Sequence, residues 1–422
     1  IDGDTIVVGQ PQDSTNQNTI TNGSTTPSQS SGSTNATNAS SYSGAVFVYK
    51  RSGTTWSQQA FIKVPNMGAN DYFGSALDLD GNTLAVGAPF EDSNQTTITN
   101  GTTASTDNSF EDAGAVYVFT RSGNNWSQQA YIKAKNATGR DDSTSPAKKA
   151  HHFGATLTLD GDTLAVGVPE EQSDTTSIIN GTNVSTNISS EQYGAVYVYK
   201  RTGSSWAQEA YIKPINTSVV GRFGFDIDLS DDFLAVGAPY EKSTQTTITN
   251  GTTASTNCCS YKSGAAYIYK RTGSNWAQEA YLKTTNHSHY RFGSGVSLDN
   301  NTLAVGMSGD KSNQTIISMG RYSSADTSLE NSGVVHIFSK IGSIWTQEAY
   351  IKPSNIDSHD NFGAEGDLRY SYSGGMLILD GNTLVVGVPN EDSNQTTITN
   401  GSTSSANNSS SASGAVFVYL RE

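Results

Sequence analysis

Apolar residues in this chain come in short bursts set between long runs of Ser, Thr, Asn and Gly. The stretch from Phe73 to Lys133 shows the pattern most clearly, with bursts at Ala76 to Leu79, Leu84 to Ala88, Ala115 to Phe119 and Trp126 to Ile132. Each is rich in β-branched or aromatic side chains and is bounded by Gly, Asn, Asp or Ser, which predicts four strands, here A, B, C and D. Asp80-Gly81-Asn82 between A and B and Arg121-Ser122-Gly123-Asn124 between C and D read as tight turns. One unit is therefore expected to be a four-stranded antiparallel meander.

The unit recurs. Phe-Gly opens strand A at Phe73, Phe153, Phe223, Phe292 and Phe362, and a Gly opens strand C at Gly44, Gly114, Gly194, Gly264, Gly333 and Gly414. This sets units at 1–72, 73–152, 153–222, 223–291, 292–361 and 362–422, with polar additions at Ala137 to His152 and Arg369 to Gly375. All five Trp residues (Trp56, Trp126, Trp206, Trp276, Trp345) open strand D, a placement that favours packing anchors between sheets over five binding sites. In strand C, Val116 and Val118 point one way and Ala115, Tyr117 and Phe119 the other, so both faces call for burial. A small sheet buries two faces only by stacking on its neighbours. The expected fold is all-β: a single β-propeller domain of four-stranded blades over residues 1–422, with six repeats visible. A linear β-solenoid is the alternative, and a unit of about 70 residues is long for it.

Phe73-Gly74, then Leu84 to Pro89 (LAVGAP), then Gly114 to Phe119 (GAVYVF) resemble the FG-GAP repeat, which builds the propeller head of integrin α subunits and of many bacterial and archaeal surface proteins. Gly-Ala-Pro or Gly-Val-Pro recurs at Gly87, Gly167, Gly237 and Gly387, while the first unit has Gly9-Gln10-Pro11 and the fifth departs with Gly306-Met307-Ser308. The resemblance spans the whole chain. It implies an extracellular or cell-surface adhesion or scaffold role without naming a ligand. Integrin-type blades often carry an Asp-rich calcium loop between A and B, whereas only Asp80-Gly81-Asn82 and its equivalents stand here, so no metal site is carried over. Calcium remains open only at the acidic pairs after strand B (Glu91-Asp92, Glu170-Glu171, Glu391-Asp392), for which a solvated acidic loop is the commoner reading.

Ile1 aligns with Leu79, and Gly414 to Tyr419 forms a C strand, so six B and C strands are expected against five complete A and D strands. Flanking sequence adding a seventh blade, or strands lent by a neighbouring molecule, would complete the set. Lent strands imply self-association into a polymer, because an open edge invites strand addition.

A net charge of −14 argues against nucleic acid and anionic membrane surfaces as partners. No apolar run is long enough to span a bilayer. The two cysteines, Cys258 and Cys259, are neighbours and form no framework; incidental loop residues are favoured over a vicinal disulfide or a bond to another chain.

Both short turns lie at one end of a blade, so the long B to C and D to A connections gather at the other, where binding usually resides. NQTTITNGTTAS from Asn94, TQTTITNGTTAS from Thr244 and NQTTITNGSTSS from Asn394 repeat within the B to C loop, and Thr-Ile-Thr before Asn-Gly predicts a small protruding hairpin. Nineteen of the thirty-four Asn residues stand in Asn-x-Ser/Thr, an excess that favours N-glycosylation. The favoured sites are Asn22, Asn94, Asn100, Asn180, Asn250, Asn313, Asn394 and Asn400, with Asn35, Asn38, Asn136, Asn183, Asn187, Asn216, Asn286 and Asn407 also candidates. Ser24 to Ser43 is mucin-like.

The six His residues (His151, His152, His287, His289, His336, His359) show no metal or triad spacing, and the glycines are turn glycines, so no enzyme and no cofactor is expected. The favoured function is a structural or adhesive surface glycoprotein, followed by a module whose long-loop face grips a glycan or protein, and then by an enzyme using the propeller's central pit.

Overall fold

The computed structural model describes residues 1–25, 41–144, 146–189, 191–216, 221–284, 290–322, 324, 326–363, 376–402, 404–405 and 407–421. Among these, the only long-range regular elements are strands, and no helix is long and apolar enough to cross a membrane. The strands fall into two compact units, Ile1–Lys213 and Pro214–Glu422, each holding three propeller blades.

In the first unit, blade 1 holds β1 (Thr5–Gln10), β2 (Thr21–Asn22), β3 (Ala45–Ser52) and β4 (Thr55–Ile62). Blade 2 holds β5 (Ala76–Asp80), β6 (Thr83–Ala88), β7 (Ile98–Asn100), β8 (Ala115–Ser122) and β9 (Asn125–Ile132). Blade 3 repeats this with β10 (Thr156–Asp160), β11 (Thr163–Val168), β12 (Ile179–Asn180), β13 (Ala195–Thr202) and β14 (Ser205–Ile212). In the second unit, blade 4 holds β15 (Ile227–Ser230), β16 (Phe233–Ala238), β17 (Thr249–Asn250), β18 (Ala265–Thr272) and β19 (Asn275–Leu282). Blade 5 holds β20 (Phe292–Asp299), β21 (Thr302–Met307), β22 (Ile317–Met319), β23 (Val334–Ile341) and β24 (Ile344–Ile351), and blade 6 holds β25 (Leu377–Asp380), β26 (Thr383–Val388) and β27 (Ala415–Leu420).

The expected A-B-C-D meander is present, but a complete blade has five strands, not four. The fifth is the Thr-Ile-Thr-Asn run of the B to C loop. It does not protrude as a hairpin: in blade 2, β7 lies along the outer edge of the D strand β9, pairing Ile98, Thr99 and Asn100 with Ile132, Tyr131 and Ala130. A strand of two or three residues then forms the outer edge, and so short an edge gives little template for unwanted pairing. Among the described residues blade 1 shows no A strand and blade 6 no D strand, as the alignment of the repeats predicts.

Both faces of the C strand are buried, as its alternation predicts. Ala115, Tyr117 and Phe119 of β8 pack with Val46, Val48 and Phe73, while Val116 and Val118 pack with Leu164, Val166 and Trp206 of blade 3. Burying such a side chain fully contributes about 1.5–3 kcal/mol, so stacking is the main favourable term in these sheets.

The repeated glycines mark the seams between blades. Gly44, at φ +85, bridges Phe73 of the next blade, and a Cβ there would lie 2.0 Å from the Phe73 carbonyl oxygen. The Gly87 of Gly-Ala-Pro likewise meets Gly154 of the following Phe-Gly, where a Cβ would fall 2.0 Å from the Gly154 oxygen. The two halves of the repeat motif are thus the two sides of one backbone contact, which only residues without Cβ can make.

Candidate functional site

At the long-loop end of blades 1 to 5, an acid two residues past the strand-B Pro, or past Ser308 in blade 5, meets a Lys that follows strand D. In blade 2, Glu91 is buried and accepts from Lys133 Nζ at 2.6 Å, while Tyr131 of β9 donates to Glu91 at 2.8 Å. The same pair recurs as Asp13 with Lys63, Glu171 with Lys213, Glu241 with Lys283 and Asp310 with Lys352, at 2.5 to 3.2 Å. Burial pushes the ammonium pKa values down and the facing carboxylates pull them back up. Breaking one buried pair leaves a bare charge, at a cost of about 3–5 kcal/mol.

An Asn three residues after the Lys carries the network into the next blade. Asn66 Nδ2 donates to Glu91 at 3.1 Å and its Oδ1 accepts from Tyr117 at 2.8 Å. Asn136 does this with Glu171 and Tyr197, and Asn216 with Glu241 and Tyr267. Sequence reasoning passed over this network, although its signal, Pro-x-Glu-x-Ser followed by Tyr-x-Lys-x-x-Asn, is visible at Pro89 to Ser93 and Tyr131 to Asn136. Glu91, Glu171 and Glu391 are therefore buried, which corrects the expectation of a solvated acidic loop. Nearby, burial pushes the Asp71 carboxyl up to about 8, its effect opposed by the Gly68 amide and reinforced by Glu91.

The outer edge carries a second repeated device. Asn22 Oδ1 accepts the Trp126 backbone N–H at 2.8 Å and its Nδ2 donates to the Trp126 carbonyl at 3.3 Å, clamping the fifth strand of blade 1 to the D strand of blade 2. Asn100 clamps Trp206 and Asn250 clamps Trp345 in the same way. Four of the five Trp side chains are the predicted packing anchors, Trp126, Trp206, Trp276 and Trp345 being buried, whereas Trp56 of blade 1 is 38% exposed and does not fit that expectation. A bulge between strands C and D turns Gln59 toward the next blade, where it accepts from Trp126 Nε1 at 3.0 Å. The Arg121 guanidinium covers the Trp126 ring at 5.2 Å.

These devices sort the Asn-x-Ser/Thr sequons. Asn22, Asn100 and Asn250 hold the clamps, Asn180 ends the equivalent strand β12, and Asn136 and Asn216 point into the buried network. Asn94, Asn183, Asn187, Asn313, Asn394, Asn400 and Asn407 are exposed and lie outside both devices; Asn22, Asn100, Asn180 and Asn250 are exposed as well, so engagement at the outer edge and not burial sets the clamp residues apart. Asn35, Asn38 and Asn286, most of the mucin-like segment, the Arg369 to Gly375 addition, His287 and His289 lie outside the described residues.

The other singled-out residues are scattered. His151 is buried, which depresses its imidazole to about 4, His336 is buried in blade 5 at about 3, and His152 faces Glu170 at 3.3 Å. Among the described residues no group of three or more His, Cys, Asp or Glu is disposed to hold a metal. Cys258 and Cys259 are bonded to each other, correcting the preference for incidental thiols.

The family model described as FG-GAP repeat matches residues 56–119. No curated protein matches the chain. A solved structure from a structural and mechanistic analysis of two prolyl endopeptidases is 11% identical with a TM-score of 0.37, the likeness covering 82% of this chain and only 36% of that one. A likeness at that level says nothing of activity.

Proposed function

We propose that this chain, an FG-GAP repeat β-propeller protein, is a structural or adhesive surface glycoprotein of the extracellular space, joined to its neighbours by completing an open blade edge. The observation that carries the reading is the division of labour within each blade. The conspicuous Lys, Glu and Tyr side chains of the repeat tie strands together within a blade, and the Asn and Trp side chains hold blade to blade, as befits a scaffold, while much of the Asn- and Thr-rich loops is left outside. FG-GAP repeats typically occur in extracellular proteins, which supports the location.

Glycans belong on the exposed sequons that hold no clamp, Asn94, Asn183, Asn187, Asn313, Asn394, Asn400 and Asn407. A sugar on Nδ2 makes a trans secondary amide with the sugar on the Oδ1 side, where the clamps of Asn22, Asn100 and Asn250 already hold a Trp carbonyl. Glycosidase treatment of source material is expected to lower the mass, with the modified peptides mapping to the exposed set. An unchanged mass would end the glycoprotein reading. Cryo-electron micrographs of the same material are expected to show filaments; isolated particles that bind on a glycan array would favour a ligand-gripping long-loop face instead.

A further inference from the structure

At the long-loop end, blade 4 reverses the charge of blade 2. The residue before Phe-Gly and three residues at the ends of the B to C loop are Tyr72, Asp92, Glu111 and Asp112 at blade 2, but Arg222, Lys242, Tyr261 and Lys262 at blade 4. Three acids and a tyrosine give way to three cations and a tyrosine, in a chain of net charge −14. Blade 5 continues the change with Arg291 and Lys311 at the first two of these positions.

The exchange gives up a structural device. In blade 2 the Asp92 carboxylate accepts the Asp112 backbone N–H at 2.8 Å, and Asp392 does the same for Ala412 in blade 6, whereas a Lys242 side chain cannot accept the N–H of Lys262. Arg222, Lys262 and Arg291 also stand at φ +59, +52 and +56, a left-handed conformation better suited to Asn, Asp or Gly. Local rules broken together at one place point to a task other than packing.

These residues are contiguous. The Arg222 guanidinium and the Lys262 ammonium lie 4.9 and 4.7 Å from the centroid of the Tyr240 ring, and Lys262 lies 5.0 Å from that of Tyr261. The Arg291 backbone N–H donates to the Lys262 carbonyl at 3.0 Å, and the Ser260 N–H to that of Lys242 at 2.7 Å. All five cations are half-buried, and Tyr261 is 52% exposed. Glu241 and Asp310 are matched by the buried Lys283 and Lys352, and Glu330 by Lys311 at 2.8 Å, which leaves the balance of charge at this end positive. Two cations held on one ring repel each other, and an incoming anion relieves that repulsion.

We propose that this face of blades 4 and 5 binds an anionic glycan, its carboxylate or sulfate groups meeting Arg222, Lys242, Lys262 and Arg291 while a sugar ring lies on Tyr261. An exposed tyrosine beside cations suits a sugar acid, whose ring offers C–H groups to the aromatic face while its acid takes charge-assisted hydrogen bonds; an acidic peptide needs the cations alone. The patch gives the adhesive side of the function proposed above a ligand class and rests on that reading.

The test uses the 422-residue chain with alginate as a carboxylated polymer, dextran sulfate as a sulfated one, and neutral dextran and poly-glutamate as controls, binding being followed by biolayer interferometry. One or both charged glycans are expected to bind, about tenfold more weakly at about 300 mM salt than at about 50 mM, and whichever binds names the acid recognised. Hydrogen exchange on the unaltered chain should show new protection at 240–242 and 260–262, a reading that needs no variant to fold. Lys242→Gln with Lys262→Gln should lower affinity about tenfold, Tyr261→Ala should lower it without changing the salt dependence, and Lys148→Gln with Lys149→Gln should leave it unchanged. No binding, equal binding of neutral dextran, tighter binding of poly-glutamate, or protection elsewhere would overturn the assignment. Glycosylated filaments in source material alongside a chain indifferent to both glycans would discard this ligand and keep the surface scaffold; selective binding by a chain that neither carries sugar nor forms filaments would do the reverse.

Discussion

Blades 4 and 6 carry the same seven residues after strand B, QTTITNG, at Gln245 to Gly251 and Gln395 to Gly401. In both, the Gln side chain donates to the carbonyl two residues on and to the hydroxyl four residues on. Yet Thr249 and Asn250 form the strand β17, while 397–400 forms none. Ile248 packs against the core and Ile398 is 93% exposed. The difference is the D strand: β17 pairs with β19, and blade 6 offers no such partner. The local sequence shapes the loop, and the neighbouring strand decides whether the loop becomes sheet.

The largest break in the comparison is expected at the acid. Lys283→Met should cost about 3–5 kcal/mol, because Glu241 is left buried without its cation. Glu391→Gln, in a blade with no Lys to lose, should cost under about 1 kcal/mol in the free chain. Denaturant unfolding of the two variants separates them, and equal losses would mean that the ion pair contributes nothing.

The seam glycines come next. At Gly237 a Cβ would lie 2.2 Å from the Gly293 backbone oxygen, whereas at Gly387 it would meet the flexible Met376 Sδ at 3.0 Å. Gly237→Ala should therefore lose about 2–3 kcal/mol and Gly387→Ala under about 1 kcal/mol, read as thermal midpoints. A similar shift in both would show that the seam yields at either place.

A pH dependence should distinguish blade 6 from blade 4, as the Asp71 carboxyl sets blade 2 apart in the same direction. Burial, with Asp357 and Glu391 nearby, pushes the Asp360 carboxyl up to about 6, whereas the matching position in blade 4 is Gly221. The folded state holds this proton more tightly than the unfolded chain does. Its contribution is therefore full below about pH 4 and is lost as pH rises toward about 6. Allowing for solvent screening, the loss is about 1–2 kcal/mol. Asp360→Asn should flatten stability across that interval, and an unchanged slope would assign the effect elsewhere.

The smallest effect is expected at the clamp. Asn250→Ala removes two hydrogen bonds to Trp345 and should cost about 1 kcal/mol, while Asn400→Ala, which faces no D strand, should be silent within about 0.3 kcal/mol. Hydrogen exchange at 248–251 would report the same loss locally.

Much of the fold is legible in the residues themselves. The alternation in strand C predicts burial on both faces, and the five Trp at one register predict anchors, because side-chain period and size are local properties. Thr-Ile-Thr-Asn-Gly satisfies a turn rule as well as an edge-strand rule, so the sequence predicts a hairpin where a fifth strand stands, and only β9 or β19 in place distinguishes them. The sequence likewise makes the buried acids look solvated, since Glu91 and Lys133 stand 42 residues apart and burial is not a property of either alone.

What the chain determined unaided is its list of strands, their turns and their repetition, because apolar periodicity and glycine placement act over a few residues. What the tertiary structure decided is which polar residues do structural work. Asn22, Asn100 and Asn250 look like any other sequon until a Trp from the next blade meets them. Glu391 looks like Glu91 until the structure shows that, among the described residues, no lysine faces it. Charge and hydrogen-bond partners come from whatever packs alongside, and in a stack of blades that neighbour is about 70 residues away.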